Sequence, residues 1–492
     1  MPNKQLKKTL VSSFLFLLFG HLLLRPLFPS LVFWFIGFLV IILLIFRRYV
    51  HSPDEFGIVL FMFVVSHFDY ASNQGGLYNI LALMTLIILR ISKGVPLALG
   101  SPSFRFVNIL FFLLFAVNFL GLVFVSKVSY GAQFSGFVVF LSYILMFFFI
   151  VKQDLTGERL KTIFMLMMVL AVYNFIVAIN QRTGILFLNS PMFPLVLQEK
   201  GYSSTMTSGT VNSSALFGEY SLLMLVLALP FLLFPKFKQE LKLPKFASLI
   251  VVGFSFANII LSNSRSPFFS VFLAVFFLLI FLILKGMVSS SLKLIIFFTF
   301  IALIFTAGVD LPGLGTLEDR LSDVDVGNLT VSNVASGEGI NRGIIFAFAL
   351  GRIDKGTWWL GSGYGTFESN AMAWFGEVGK TLWGQSGESI YDIHSLYFAL
   401  VMTFGWIGAI CFLLIILIVI VKLIGLTKKT ENTYAYPFNI GFIFLWILFL
   451  VNEYKVNTMF SVSYFMLIWI WLGFSYAFIR TYSSPSLKLS GN

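Results

Sequence analysis

IYDIHSLYFALVMTFGWIGAICFLLIILIVIVK, residues 390–422, passes from an acidic residue and a histidine into 27 uncharged positions, Ser395 to Val421, before the next lysine. At 1.5 Å per residue that run makes about 40 Å of helix, more than the roughly 30 Å of hydrocarbon in a bilayer. Comparable runs recur from end to end of the 492 residues, and the alternation that marks barrel strands does not. The composition agrees, since 58% hydrophobic, 18% aromatic and 11% charged residues leave too little charge to cover a soluble protein of this length. The expected fold class is all-α: a polytopic integral membrane protein of about 12–14 transmembrane helices, with one long extracytoplasmic loop containing short helices.

Spans are expected to begin near Thr9, Leu27, Phe56, Leu77, Phe106, Phe137, Thr162, Ala215, Ala247, Pro267, Leu294, Ser395, Pro437 and Thr458. With the N-terminus inside, 22 of the 33 Lys and Arg fall on the inner side. Only Arg25, Lys127, Arg182, Lys200, Arg265 and Lys455 fall in the short outer loops. This is the positive-inside bias, with both termini cytoplasmic. It also accounts for the net charge of +12 without a nucleic-acid partner. The first run, Thr9 to Leu24, follows three lysines but is succeeded by Arg25-Pro26 and a second span, so it reads as a retained signal anchor or a tight hairpin. The single cysteine, Cys411, sits in an apolar run and excludes a disulfide framework or a cysteine-ligated zinc.

Four parts follow from the hydropathy: N-terminal spans over 1–180, spans with the first outer loop and the Arg265 motif over 181–308, a long outer loop over 309–394, and C-terminal spans over 395–492. No repeat with a period of 20–50 residues is visible. The polar part of the long loop, Val309 to Ser389, carries ten Asp and Glu against five Lys and Arg. Within it Asn341 to Arg352 has a helical apolar face, and Gly361, Gly363 and Gly365 mark a turn. A loop of that length in a compact membrane protein reads as a lid or binding element.

Several residues in these outer parts can carry chemistry. Arg265 stands in Asn263-Ser264-Arg265-Ser266-Pro267, where Ser266 suits a helix N-cap and Pro267 a first helical position. A guanidinium beside the unpaired amides of a helix start suits phosphate or carboxylate, the alternative being an arginine that snorkels to headgroups. Arg342 opens the loop helix, an awkward place for a cation unless an anion shares it; a solvated loop arginine is the other reading. His394 precedes a span and follows Glu388 and Asp392, so its ring can be held neutral and oriented as a general base, or can simply hydrogen-bond at the interface. Glu219, a turn inside a span, is an intramembrane carboxylate suited to orienting an acceptor or pairing with an arginine. Trp358, Trp359, Trp374 and Trp383 could stack on sugar rings or mark the interface. Asp323-Val324-Asp325 has the form of a metal-holding pair but lies in the outer loop.

The order Ser264-Arg265-Ser266, then Arg342, then Gly361-Ser362-Gly363-Tyr364-Gly365-Thr366-Phe367, then His394-Ser395-Leu396-Tyr397 and Gly405-Trp406-Ile407-Gly408 resembles the bacterial O-antigen ligase and O-antigen polymerase superfamily over roughly residues 180–422. Two positions depart from its pattern: Ser266 where the family has glycine, and Ser395 where it has asparagine. The resemblance implies an inverting GT-C type membrane glycosyltransferase that moves a glycan from undecaprenyl diphosphate to an acceptor at the outer face of the bacterial cytoplasmic membrane. The acceptor would be lipid A core or a growing polysaccharide. It further implies that Arg265 and Arg342 hold the diphosphate and that His394 deprotonates the acceptor hydroxyl. Glu219 and Tyr364 are expected to contribute to substrate binding. Neither cofactor nor metal is implied. Membrane lipids and the lipid-linked oligosaccharide donor are the expected partners. The rival reading is a transporter or flippase of lipid-linked sugars, which predicts charges within the spans of both halves and pseudo-symmetric halves.

Overall fold

The computed structural model describes residues 55–67, 104–126, 128–183, 207–211, 213–262, 264–287, 359–366, 395–453 and 461–483, together with Met459 and single positions within 83–90 and 291–299. Among these residues the protein is all-helical, with no strand. Eleven helices are described in full: α1 (Glu55–Val65), α2 (Arg105–Phe124), α3 (Tyr130–Val151), α4 (Gly157–Thr183), α5 (Ser214–Leu233), α6 (Pro235–Glu240), α7 (Ala247–Ser262), α8 (Arg265–Leu284), α9 (Leu396–Thr430), α10 (Tyr436–Asn452) and α11 (Val462–Ser483). Seven of them, α2 to α5, α8, α9 and α11, are long and apolar enough to cross a membrane, and α1, α7 and α10 are shorter apolar helices. The chain is a polytopic membrane protein. The expected spans at Thr9 and Leu27 lie outside the described residues, as do Asn341–Arg352 and Asp323-Val324-Asp325.

Helix starts depart from the hydropathy reading where polar residues join the first turn. α3 begins at Tyr130 and not near Phe137, because the Ser129 side chain caps it by accepting from the Ala132 amide at 3.4 Å. α4 begins at Gly157, five residues before Thr162, with Glu158 placed favourably in its first turn.

Burial separates central from peripheral helices. In the apolar windows of α11 and α5, 94% and 89% of residues are buried, against 39% in α8 and 44% in α2. The exposed side chains of the outer helices are apolar, among them Phe112 and Phe124 of α2, Phe276 and Ile283 of α8 and Val421 of α9. That is the arrangement expected where the surrounding solvent is lipid. Because lipid removes most of the hydrophobic drive between helices, contact relies on close approach and buried hydrogen bonds. Gly441 of α10 lies against the Leu227 backbone of α5, and Gly473 of α11 against Ile150 of α3. Asn258 Nδ2 donates to the Ala171 carbonyl (3.1 Å), Trp446 Nε1 to Ser475 Oγ (2.8 Å) and Tyr476 Oη to the Ile415 carbonyl (3.0 Å).

The two ends of the bundle differ in charge. At one end Arg90 makes a forked pair with Glu55 (3.0 and 2.8 Å), Gln153 donates to the same carboxylate, and Arg159 lies over the Phe56 ring. Arg480 pairs with Asp154, and Lys285 with Glu431. The α6 segment adds Lys236, Lys238, Lys242 and Lys245 nearby, since Phe234 and Phe237 pack on Tyr436 at the start of α10. Burial here pushes the Lys152 amine below its usual range, Arg90 adds to the fall, and Glu55 opposes it. Lys238 is lowered by burial. The opposite end joins the last turns of α1, α7 and α10 to the first turns of α5, α8, α9 and α11, and it holds the candidate site.

Candidate functional site

α5 begins after Ser213, whose side chain accepts from the Leu216 amide, and this start sets Glu219 about one and a half turns below the helix end. Glu219 is buried. Its neighbour Gly218 allows α8 to approach, since a Cβ at that position would stand 2.6 Å from Pro267 Cγ and 3.0 Å from Ser262 Oγ. α8 therefore starts directly beside the carboxylate. Its helix opens at Arg265 with Ser264 in the N-cap position, which corrects the expectation that Ser266 caps and Pro267 comes first. The reason is visible in the contacts of Ser266. Its hydroxyl donates to Asn452 Oδ1 at 2.6 Å, so it serves a tertiary bond and not its own helix end.

Asn452, the last residue of α10, ties these pieces together. Oδ1 accepts from Ser266 Oγ and, at 2.8 Å, from Ser270 Oγ, while Nδ2 donates to Glu219 Oε2. The other carboxylate oxygen, Oε1, is buried and has no hydrogen-bond partner among the described residues. Glu219, Asn452, Glu453 and Tyr464 line a cavity of about 10 Å³ together with apolar residues of α5 and α10. That is room for about one water molecule.

The start of α9 reaches the same place. The Leu396 amide, two positions after His394, donates to the Glu453 carbonyl at 2.9 Å, and Tyr397 Oη donates to the Leu450 carbonyl at 2.5 Å. Ser395 in the N-cap position leaves its buried Oγ without a hydrogen-bond partner among the described residues. The chain following His394 and the turn carrying Arg265 thus meet at the C-terminal end of α10. His394 and Arg342 lie outside the described residues, and of Arg265 the backbone but not the side chain is described.

Tyr364 is placed differently. Its side chain is buried between α3 and α11, with its hydroxyl 3.0 Å from Tyr143 Oη and donating to the Met459 carbonyl, and its ring stacked on Phe465. Its amide donates to Asn118 Oδ1 of α2 at 2.8 Å. These contacts make it part of the packing that seats residues 361–366, where the expected turn is found with Gly363 and Gly365 at positive φ.

The seat itself is a break in α9. Gly405 has φ 68 and ψ 179, outside the helical range, so the carbonyls of Met402 and Thr403 turn away from the helix and accept from Ser362 N (3.0 Å) and Gly363 N (2.8 Å). A Cβ on Gly361 would overlap the Thr403 backbone, and one on Gly405 the Trp359 carbonyl. Non-helical backbone in such a bundle is tolerated because protein partners replace the missing water. Trp359 is 62% exposed beside this break, while Trp358, Trp374 and Trp383 lie outside the described residues.

Residues absent from the sequence reading are Asn452, Glu453, Ser270, Tyr464 and Tyr220, the last donating to the Ser66 carbonyl at 2.5 Å. The available signal was Asn452-Glu453 at the end of a span, an amide and a carboxylate where hydropathy is still high. No protein-family model matches the chain, and no curated protein matches it.

Proposed function

We propose that the protein is a membrane glycosyltransferase that moves a glycan from a polyprenyl diphosphate to an acceptor hydroxyl at the outer face of a bacterial cytoplasmic membrane. Ligation to lipid A core and polymerisation of repeat units are both compatible with this reading. The observation that carries it is the convergence on Asn452 and Glu453 of the Arg265 turn, the Glu219 carboxylate and the chain that follows His394. Two further features support it. Buried polar oxygens without protein partners, at Glu219 and Ser395, suit a site that completes its hydrogen bonds with substrate. The concentration of Lys and Arg at the opposite end supports, by the positive-inside rule, a cytoplasmic orientation for that end and an extracytoplasmic one for this end.

In the reaction the acceptor oxygen forms a bond to the anomeric carbon as the bond from that carbon to the diphosphate oxygen breaks, with inversion. His394 takes the hydroxyl proton, and the electron pair leaves with the diphosphate. Arg265 and Arg342 balance the charge that develops there, assisted by the amides at the start of α8. Glu219 accepts a hydrogen bond from the acceptor and orients it.

Purified protein given a lipid-linked oligosaccharide and candidate acceptors is expected to form glycosylated product. His394→Ala should lower kcat by about 10²–10⁴-fold in a folded protein. Arg265→Lys should lower it by about 10²-fold or more, because a point charge does not reproduce the guanidinium fork. Wild-type turnover in the His394 variant would remove the assigned base, and substrate translocation without glycosidic bond formation would favour the flippase reading.

A further inference from the structure

Asn452 is the one described side chain that touches both the intramembrane carboxylate and the helix start bearing Arg265. Its orientation is set by its neighbours. Oδ1 accepts from two serine hydroxyls of α8 at 2.6 and 2.8 Å, and Nδ2 donates to Glu219 Oε2 of α5. In this arrangement the amide joins the two helices through both of its ends. Around this point stand α5 with Glu219, α8 with Ser266 and Ser270, α10 with Glu453, and α11 with Tyr464. The consequence is geometric. One carboxylate oxygen is held by the amide, the other has no hydrogen-bond partner among the described residues, and α8 cannot slide against α5 without breaking bonds to the same amide.

We propose that Asn452 is a positioning residue, holding the Glu219 carboxylate and the Arg265 turn of α8 in one fixed relation so that the remaining Glu219 oxygen meets the acceptor hydroxyl while the helix start meets the diphosphate. This rests on the glycosyl-transfer reading above. It goes beyond it in giving a role to a residue that touches no substrate, and in making acceptor and donor subsites depend on one amide.

The test uses the full-length protein in detergent or proteoliposomes with a lipid-linked oligosaccharide and its acceptor. Asn452→Asp keeps the shape and an acceptor for both serines but replaces the amide donor to Glu219 with a second carboxyl group. Expected is a fall in kcat of about 10²-fold, the scale of a misplacement near 1 Å, with KM for the lipid-linked donor changed much less. The paired variant Glu219→Gln with Asn452→Asp reverses donor and acceptor and restores the bond, and it should recover at least about tenfold of the loss relative to Asn452→Asp alone, as expected when neighbouring groups act together. A purely structural amide predicts something else: less folded protein, with wild-type kcat per folded molecule. Unaltered kcat in folded Asn452→Asp, or no recovery in the paired variant, would overturn the inference and leave the glycosyl-transfer reading standing. Absence of product from the wild-type protein would overturn both.

Discussion

At the cationic end of the bundle a buried arginine and a carboxylate meet as an ion pair; at the other end the buried carboxyl group of Glu219 meets a neutral amide. Arg90 and Glu55 illustrate the first, with a forked pair buffered by Gln153 and the Phe149 ring. Glu219 illustrates the second, with one oxygen on Asn452 and the other without a partner among the described residues. The first solution is closed. The forked pair satisfies both charged groups, whereas the second keeps a buried carboxyl oxygen without a hydrogen-bond partner among the described residues, an arrangement that carries a desolvation cost.

The most forceful way to break the comparison is at Arg90. Arg90→Met removes the guanidinium and strands Glu55, whose side chain is only 13% exposed. Losing one partner of a buried pair costs about 3–5 kcal/mol. Thermal unfolding in detergent should show a correspondingly large fall in Tm, while kcat per folded molecule stays at the wild-type value. A stable variant with impaired turnover would mean that the cationic end also contributes to the reaction.

An intermediate effect is expected where the loop segment enters α9. A methyl group on Gly361 would overlap backbone atoms of Thr403, and neither partner is a flexible side chain that could move aside. Gly361→Ala should therefore cost about 1–3 kcal/mol through overpacking. Unlike Arg90→Met it should also depress turnover, since residues 361–366 would unseat from the Met402 and Thr403 carbonyls at the site end. Activity assays beside unfolding curves separate the two cases. Equal loss of stability with no loss of turnover would show that the seated segment only packs.

How much of this is legible in the chain itself depends on the range of each interaction. Apolar runs are local, so α2, α5, α7, α9 and α10 begin within a residue or two of where hydropathy sets them. The clustering of Lys and Arg is also countable along the chain, and the contacts of Glu55, Arg90, Asp154 and Arg480 gather part of it at one end. Asn452 is not legible in the same way, because its partners stand 233, 186 and 182 positions away and nothing in Val451-Asn452-Glu453 says which way the amide faces. Ser266 is misleading for the converse reason. A serine before a proline has the local signature of a cap, and the tertiary bond to Asn452 outbids it. Gly405 looks like a small residue for helix packing, yet its positive φ serves a strand-like contact with a segment some forty positions earlier.

The smallest effect sharpens the contrast within the cationic end. Lys285 and Glu431 pair at 3.4 Å across the ends of α8 and α9, but their side chains are 32% and 45% exposed. Water and salt screen such a pair, and ordering two long side chains offsets what attraction remains, so its net contribution lies at roughly 0–1 kcal/mol. Glu431→Gln should leave Tm and turnover close to wild type, with any difference vanishing at high ionic strength. Set beside Arg90→Met, it asks whether burial or charge alone stabilises this end. A loss as large as that of Arg90→Met would mean that the whole cationic end acts as one network, and the contrast between the two ends would then rest on the network and not on individual buried pairs.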